Sequence, residues 1–233
     1  IEKFSLGYCP AEGDAFTLKA LAAGYKEEFL IATGLTIKRE SGGYWDRFAG
    51  RVIFPVVSLS GRVIAFGGRT LRTDKKTAKY LNSPESEVYH KGKTLYGIYH
   101  AKKSITQENR CILVEGYTDV LSMVQSGVEN VVASSGTSLT TEQIKLISRF
   151  TKNITVIYDG DAAGIKASLR GIDMILAEGL NVRCVSLPDG EDPDSFARSH
   201  TATELNDYIV SNEVDFITFK TRLLLDEVKN DPM

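Results

Sequence analysis

The rhythm of apolar and polar positions changes once along the 233-residue chain, near residue 110. Beyond that point a short apolar run followed by a helical stretch repeats. The runs are 111–115, 130–134, 153–158 and 182–187, short and rich in Val and Ile, and they predict buried strands. Between them, 117–126, 141–150 and 162–178 space their apolar residues as helices do, and Thr140 with Gln143 predicts a capping box for the second. Strands alternating with helical crossovers predict a parallel, doubly wound sheet. Two more helices are predicted over 203–211 and 214–229, the latter with an apolar stripe of Phe216, Phe219, Leu223 and Leu224.

The first part is less regular. Alternation at Phe4, Leu6 and Tyr8 predicts a strand over 1–10, and Asp14 is positioned to cap a helix over 15–23. A second short helix over 26–33 stops at Gly34. Gly42-Gly43 predicts a flexible break with Trp45 and Phe48 packed beneath it. Residues 52–57 and 63–66 flank Ser60-Gly61 and predict a hairpin, with Pro55 at an edge or a bulge because it lacks an amide donor. The polar, cationic stretch 70–79 and residues 84–92 are predicted loops, followed by a helix over 96–105. The expected division is an N-terminal subdomain 1–110, a catalytic subdomain 111–199 and a C-terminal helical segment 200–233.

Composition is that of an ordinary globular protein, 42% hydrophobic and 25% charged, without a membrane-length apolar run or a signal peptide. The expectation is a cytoplasmic protein with no membrane partner, and a chain opening on Ile1 reads as an excised piece. Cys9, Cys111 and Cys184 are far apart and form no zinc-site spacing, so they are expected as free thiols, with no zinc bound. The net charge of −2 conceals an asymmetry. Residues 1–110 carry 18 Lys and Arg against 11 acids, whereas residues 111–233 carry 10 against 19. The first part suits an anion, the second cations.

Three predicted strands end in acid. Glu115 closes the first, Asp159-Gly160-Asp161 follows the third, and Asp189, Glu191, Asp192 and Asp194 follow the fourth. A single Asp-Gly-Asp serves equally well as a turn or a cap. Three clusters at corresponding ends of one strand–helix series are not explained by turns alone, since adjacent carboxylates repel unless a cation neutralises them. Asp159 and Asp161, two residues apart, can present oxygens to neighbouring divalent ions, and Glu115 can join them as ligand or general base.

Three stretches carry a resemblance: Glu115-Gly116-Tyr117-Thr118-Asp119, Tyr158 to Gly164 and Leu187 to Asp194. They resemble the Toprim domain of bacterial replicative primases of the DnaG type. Toprim domains also occur in topoisomerases and nucleases. Upstream, GRVIAFGGR (61–69), KYLNSPE (79–85) and the stretch from His90 to Gly97 resemble the polymerase core of the primases specifically. The resemblance implies an α/β fold: a Toprim-type parallel sheet flanked by helices, preceded by a small mixed α+β subdomain and followed by a short helical segment.

It also implies a DNA-dependent RNA polymerase that makes short RNA primers on single-stranded DNA from ribonucleoside triphosphates, a nucleotidyltransferase using Mg²⁺ or Mn²⁺. Glu115, Asp159 and Asp161 would form the catalytic centre, with Asp192 and Asp194 as further metal ligands. Asp119 is either another member or a first-turn carboxylate favoured by the helix dipole. Arg69, Lys79 and Lys91 match positions for template or nucleotide phosphates, and Asn82 and Tyr117 match positions near the incoming nucleotide. Lys75 and Lys76 read as solvated surface charges. A replicative helicase is the implied partner through a C-terminal domain not recognisable here, and no N-terminal zinc ribbon is recognisable either. The rival readings are a DNA-cleaving Toprim enzyme, a phosphatase built on Asp159-Gly160-Asp161, and a nucleic-acid-binding module without catalysis.

Overall fold

A computed structural model describes residues 1–73, 77–136, 138–158, 162–221 and 225. Two compact units result, Ile1–Lys91 and Gly92–Met233.

The first unit is built on a four-stranded antiparallel sheet, β1 (Gly7–Cys9), β4 (Arg51–Val57), β5 (Val63–Thr70) and β6 (Tyr80–Asn82), in the order β1-β4-β5-β6. The expected hairpin is β4–β5, turning at Ser58–Arg62. Pro55 lies beyond the end of β1, which pairs only with Arg51–Ile53, and the register shifts just after it, between Val56 and Val57. A residue without an amide proton is tolerated there because one flank of the strand is unpaired. The strand predicted over 1–10 shrinks to three residues, because Glu2–Phe4 winds into a 3-10 turn closed by Ser5 at φ 50°.

Helices α1 (Ala15–Ala22) and α2 (Glu27–Ala32) precede a two-stranded ribbon, β2 (Thr36–Lys38) and β3 (Tyr44–Asp46). Here three expectations are corrected. Gly42-Gly43 is a tight turn of that ribbon, both residues at positive φ, and Gly42 donates to the Arg39 carbonyl. Asp14 makes no side-chain cap to α1. The start of α1 is held instead by Asp46, whose Oδ2 accepts from the Phe16 amide at 2.7 Å and whose Oδ1 accepts from the Thr17 amide at 3.0 Å. Asp46 is 1% exposed, so its carboxylate is paired inside the unit rather than left to water. Phe48 is buried as expected, but Trp45 is 44% exposed, with the Arg39 guanidinium 5.0 Å from its ring.

The second unit opens with α3 (Ile98–Glu108). Then β7 (Cys111–Val114), α4 (Tyr117–Gln125), β8 (Val131–Ala133), α5 (Thr141–Ile147), β9 (Asn153–Tyr158), α6 (Ala162–Ala177) and β10 (Asn181–Ser186) follow in strict alternation. The sheet order is β11-β10-β9-β7-β8, parallel throughout except for β11 (Val214–Asp215), which is antiparallel to β10. Strands β7 and β8 are buried at every residue, as a parallel sheet covered on both faces requires. The expected capping box at Thr140 and Gln143 is present. Beyond β10 come α7 (Pro193–Ser199) and α8 (Ala202–Asn212). The helix predicted from residue 214 starts later, because Val214 and Asp215 pair with Cys184 and Arg183 first; Phe219 is buried, and Leu223 and Leu224 lie outside the described residues. All three cysteines are free, and Cys111 and Cys184 are buried. No helix among the described residues is long and apolar enough to cross a membrane.

Candidate active site

The chain leaves β7 for β8 on one side and returns through α5 to β9 on the other, so the connections diverge between β7 and β9. At such a switch point the crevice beyond the carboxyl ends of the strands is open to a ligand. Pairing of Cys111 with Ile154 and of Leu113 with Val156, continued by two residues, sets Glu115 level with Tyr158. Tyr158 in turn pairs with Ser186 of β10. Three neighbouring strands therefore end at one height, and each is followed by acidic sequence. Asp159, Gly160 and Asp161 lie outside the described residues, as do Lys75 and Lys76.

The turn after β7 is built for an exposed carboxylate. Glu115 is exposed, and its backbone carbonyl accepts from the amide of Ser135 at 3.0 Å, tying the turn to the loop after β8. Gly116 donates its amide to Asp119 Oδ2 at 2.7 Å. A Cβ on Gly116 would stand 3.1 Å from that oxygen, a tight contact that glycine avoids. Asp119 is thus placed as a first-turn helix cap, 8% exposed. Tyr117 is 3% exposed, its ring edge-on to Tyr96 with centroids 4.7 Å apart. It anchors the turn from inside.

The acidic loop after β10 divides its carboxylates by job. Asp189 sits in a turn closed by the Glu191 amide donating to the Pro188 carbonyl, with Gly190 at φ 80°. Asp192 is the N-cap of α7, its Oδ1 accepting from the Ser195 amide at 2.7 Å. Asp194 Oδ1 accepts from the Ser122 hydroxyl of α4 at 2.5 Å and lies 3.3 Å from Arg198 Nε. Among the described residues, the second oxygens of Asp192 and Asp194 have no hydrogen-bond partner. Helix α4, whose first turn carries Asp119, thereby also reaches Asp194 one turn further on. No group of three or more metal-ligating side chains is found among the described residues. Among the described residues, the acidic side chains that follow these strands are Glu115, Asp189, Glu191, Asp192 and Asp194. Such hard oxygen ligands suit a divalent cation.

In the first unit Arg69 and Lys79 lie on the β5–β6 hairpin, and Lys91 follows it. Arg69 is paired with Tyr80 and Gly67 with Asn82, so Arg69, Tyr80 and Asn82 share one face, with no side chain opposite Asn82. The Arg69 guanidinium lies 5.6 Å and Lys79 Nζ 5.8 Å from the Tyr80 ring centroid. The backbone bearing Lys79 is fixed from behind by Arg51, whose Nη1 donates to the carbonyls of Gly68, Ala78 and Lys79 at 3.3, 3.0 and 3.4 Å. Lys91 is placed by Glu85, whose Oε1 accepts from the Lys91 amide at 2.8 Å and whose Oε2 meets His90 Nδ1 at 3.1 Å. That backbone bond holds the Glu85 carboxyl below the usual carboxylate range. Sequence reading missed Arg51, Glu85 and Ser122. Only Arg51 carried a local signal, a lone cation opening an otherwise apolar strand.

Comparison with known proteins agrees with this layout. Residues 1–102 match the family described as the DNA primase catalytic core, N-terminal domain, and residues 112–197 match the Toprim-like family. The DNA primase of Halalkalibacterium halodurans is 41% identical over 223 residues, which is 95% of this chain and 37% of that protein. This chain thus spans little more than a third of the length of that curated relative. A DNA primase domain from Pseudomonas aeruginosa is 37% identical with a TM-score of 0.86, covering 97% of this chain and 71% of that one. A DnaG primase catalytic domain solved bound to single-stranded DNA is 37% identical with a TM-score of 0.85, covering 97% and 73%. With both of its units matched, and with a solved primase domain of which it covers more than two thirds, the chain belongs to the family of DnaG-type primase catalytic cores.

Proposed function

We propose that this chain is the nucleotidyl-transferring core of a primase, joining ribonucleoside triphosphates on single-stranded DNA into short RNA primers. The observation that carries the reading is the alignment of Glu115 with Tyr158 and Ser186 across three strands that end together. It sets Glu115, the residue before Asp159 and a position three residues before Asp189 along one edge of the sheet.

In this reading Glu115, Asp159 and Asp161 hold divalent ions, with Asp192 and Asp194 as outer ligands. Bound Mg²⁺ or Mn²⁺ would supply a more acidic 3′-hydroxyl and a neutralised pyrophosphate leaving group. The chain's own residues do the rest. Glu115 accepts the hydroxyl proton from the exposed lip of a turn that backbone bonds and Asp119 hold in shape. Arg69, Lys79 and Lys91 offer charge to phosphates, as template contacts or as a grip on the triphosphate. Asn82, on the same face of the hairpin as Arg69, is the candidate contact for a base or ribose edge. Tyr117 acts from behind, keeping the Glu115–Gly116 turn in place. Single-stranded DNA bound to a 37% identical catalytic domain supports the template assignment.

The test is incorporation of radiolabelled ribonucleotides on single-stranded DNA with and without Mg²⁺ or Mn²⁺. The reading expects a metal-dependent, alkali-labile product. Metal-dependent relaxation or cleavage of DNA without incorporation would support the rival Toprim chemistry instead.

A further inference from the structure

Helices α4 and α7 are joined by two serines one helical turn apart. Ser126, the residue that caps the C-terminus of α4, donates its Oγ to the Ala197 carbonyl of α7 at 2.8 Å. Ser122 Oγ donates to Oδ1 of Asp194 at 2.5 Å, a bond to a side chain at the mouth of the acidic loop. Arg198, one turn along α7, approaches the same Oδ1 at 3.3 Å. Both donors take one oxygen of the carboxylate, and Oδ2 has no partner among the described residues. A carboxylate at the second position of a helix would otherwise turn toward the free amides of the first turn, where the dipole favours it.

We infer that Ser122 is a positioning residue for metal binding: with Arg198 it occupies Oδ1 of Asp194 and keeps Oδ2 available as the ligand oxygen. This rests on the reading of Asp194 as an outer metal ligand. Outer partners of this kind fix the rotamer of a ligating carboxylate, and their removal typically weakens metal affinity about 10- to 100-fold. Ser122 also belongs to the helix that begins at the Glu115 turn, so the same bond ties the acidic loop after β10 to the turn after β7.

The experiment is a Mn²⁺ titration of the whole chain, followed by electron paramagnetic resonance of free Mn²⁺, without nucleotide. Ser122→Ala replaces a helical residue by a better helix former, so the fold should survive. Its affinity for Mn²⁺ is expected to fall about tenfold, with Ser122→Thr, which restores a hydroxyl, recovering most of the loss. Ser126→Ala, which removes the neighbouring bond between the same helices, should leave affinity unchanged. In an Asp194→Asn background Ser122→Ala should have no further effect. Unaltered affinity in Ser122→Ala, or an equal loss in Ser126→Ala, overturns the role of Ser122 while leaving Asp194 as a ligand. If Asp194→Asn itself changes nothing, the assignment of Asp194 fails and this inference falls with it.

Discussion

Asp119 accepts the backbone amide of Gly116 at 2.7 Å, closing the first turn of α4 directly behind Glu115. The bond gives Asp119 a structural task that an amide oxygen could also perform. Asp119→Ala is therefore expected to cost about 1 kcal/mol, the usual worth of a helix cap, and Asp119→Asn much less. Thermal melts of both variants check this. If Asp119→Asn instead matches Asp161→Asn in losing Mn²⁺ binding at full stability, Asp119 is a ligand and the capping account is incomplete.

The burial of Asp46 makes a sharper contrast. It accepts from two amides of α1 and from the Thr17 hydroxyl, whereas Asp14, the residue next to that helix, accepts from none of them. Asp46→Ala leaves those donors unpaired and should cost about 3 kcal/mol. Asp14→Ala should stay within about 0.5 kcal/mol, as surface substitutions do. Denaturant unfolding of the two variants decides it, and equal costs would contradict the capping assigned here to Asp46.

Lys79 and Lys91 are placed by different devices, one by the carbonyls that Arg51 gathers, the other by Glu85. If both meet template phosphates, Lys79→Ala and Lys91→Ala should each weaken single-stranded DNA binding. Each should also flatten its dependence on salt, by a slope of roughly 0.7 for every phosphate no longer neutralised. Arg69→Ala should raise the nucleotide KM more than it weakens DNA binding if its guanidinium holds the triphosphate. Fluorescence anisotropy across a salt series, with a steady-state nucleotide titration, separates these outcomes. Unchanged affinity and slope in both lysine variants would remove them from the template path.

The Glu85 carboxyl is held below its ordinary value of 4.5 chiefly by the Lys91 amide. A lowered folded-state pKa means that the bond contributes above the unfolded value and is lost as pH falls through the folded one. Protection of the Lys91 amide against hydrogen exchange should therefore be the same at pH 7 and pH 5 and be lost only as pH falls below the ordinary carboxylate value of 4.5. Loss already at pH 6 would show that another group holds the turn.

The second unit was the more legible in sequence because parallel strands buried on both faces leave unbroken apolar runs. The 111–115, 153–158 and 182–187 runs match observed strands to within about a residue. The first unit hid more. Its short strands β2, β3 and β6 owe their existence to pairing partners rather than to their own three residues. Asp46 capping α1 from some thirty residues away has no local signature at all. At the candidate site the carboxylates could be read from their strand-end positions. What orients them could not, since Ser122 reaches Asp194 across 72 residues of chain.

In the proposed function Glu115 and the acidic pair after β9 act as one divalent centre. A Mn²⁺ titration of the wild type, Glu115→Gln, Asp161→Asn and the double variant tests it most directly. Groups that share an ion do not contribute independently. Either single variant should remove most of the tight binding, and the double variant should lose little more. Independent, additive losses, or wild-type binding in Glu115→Gln, would contradict it.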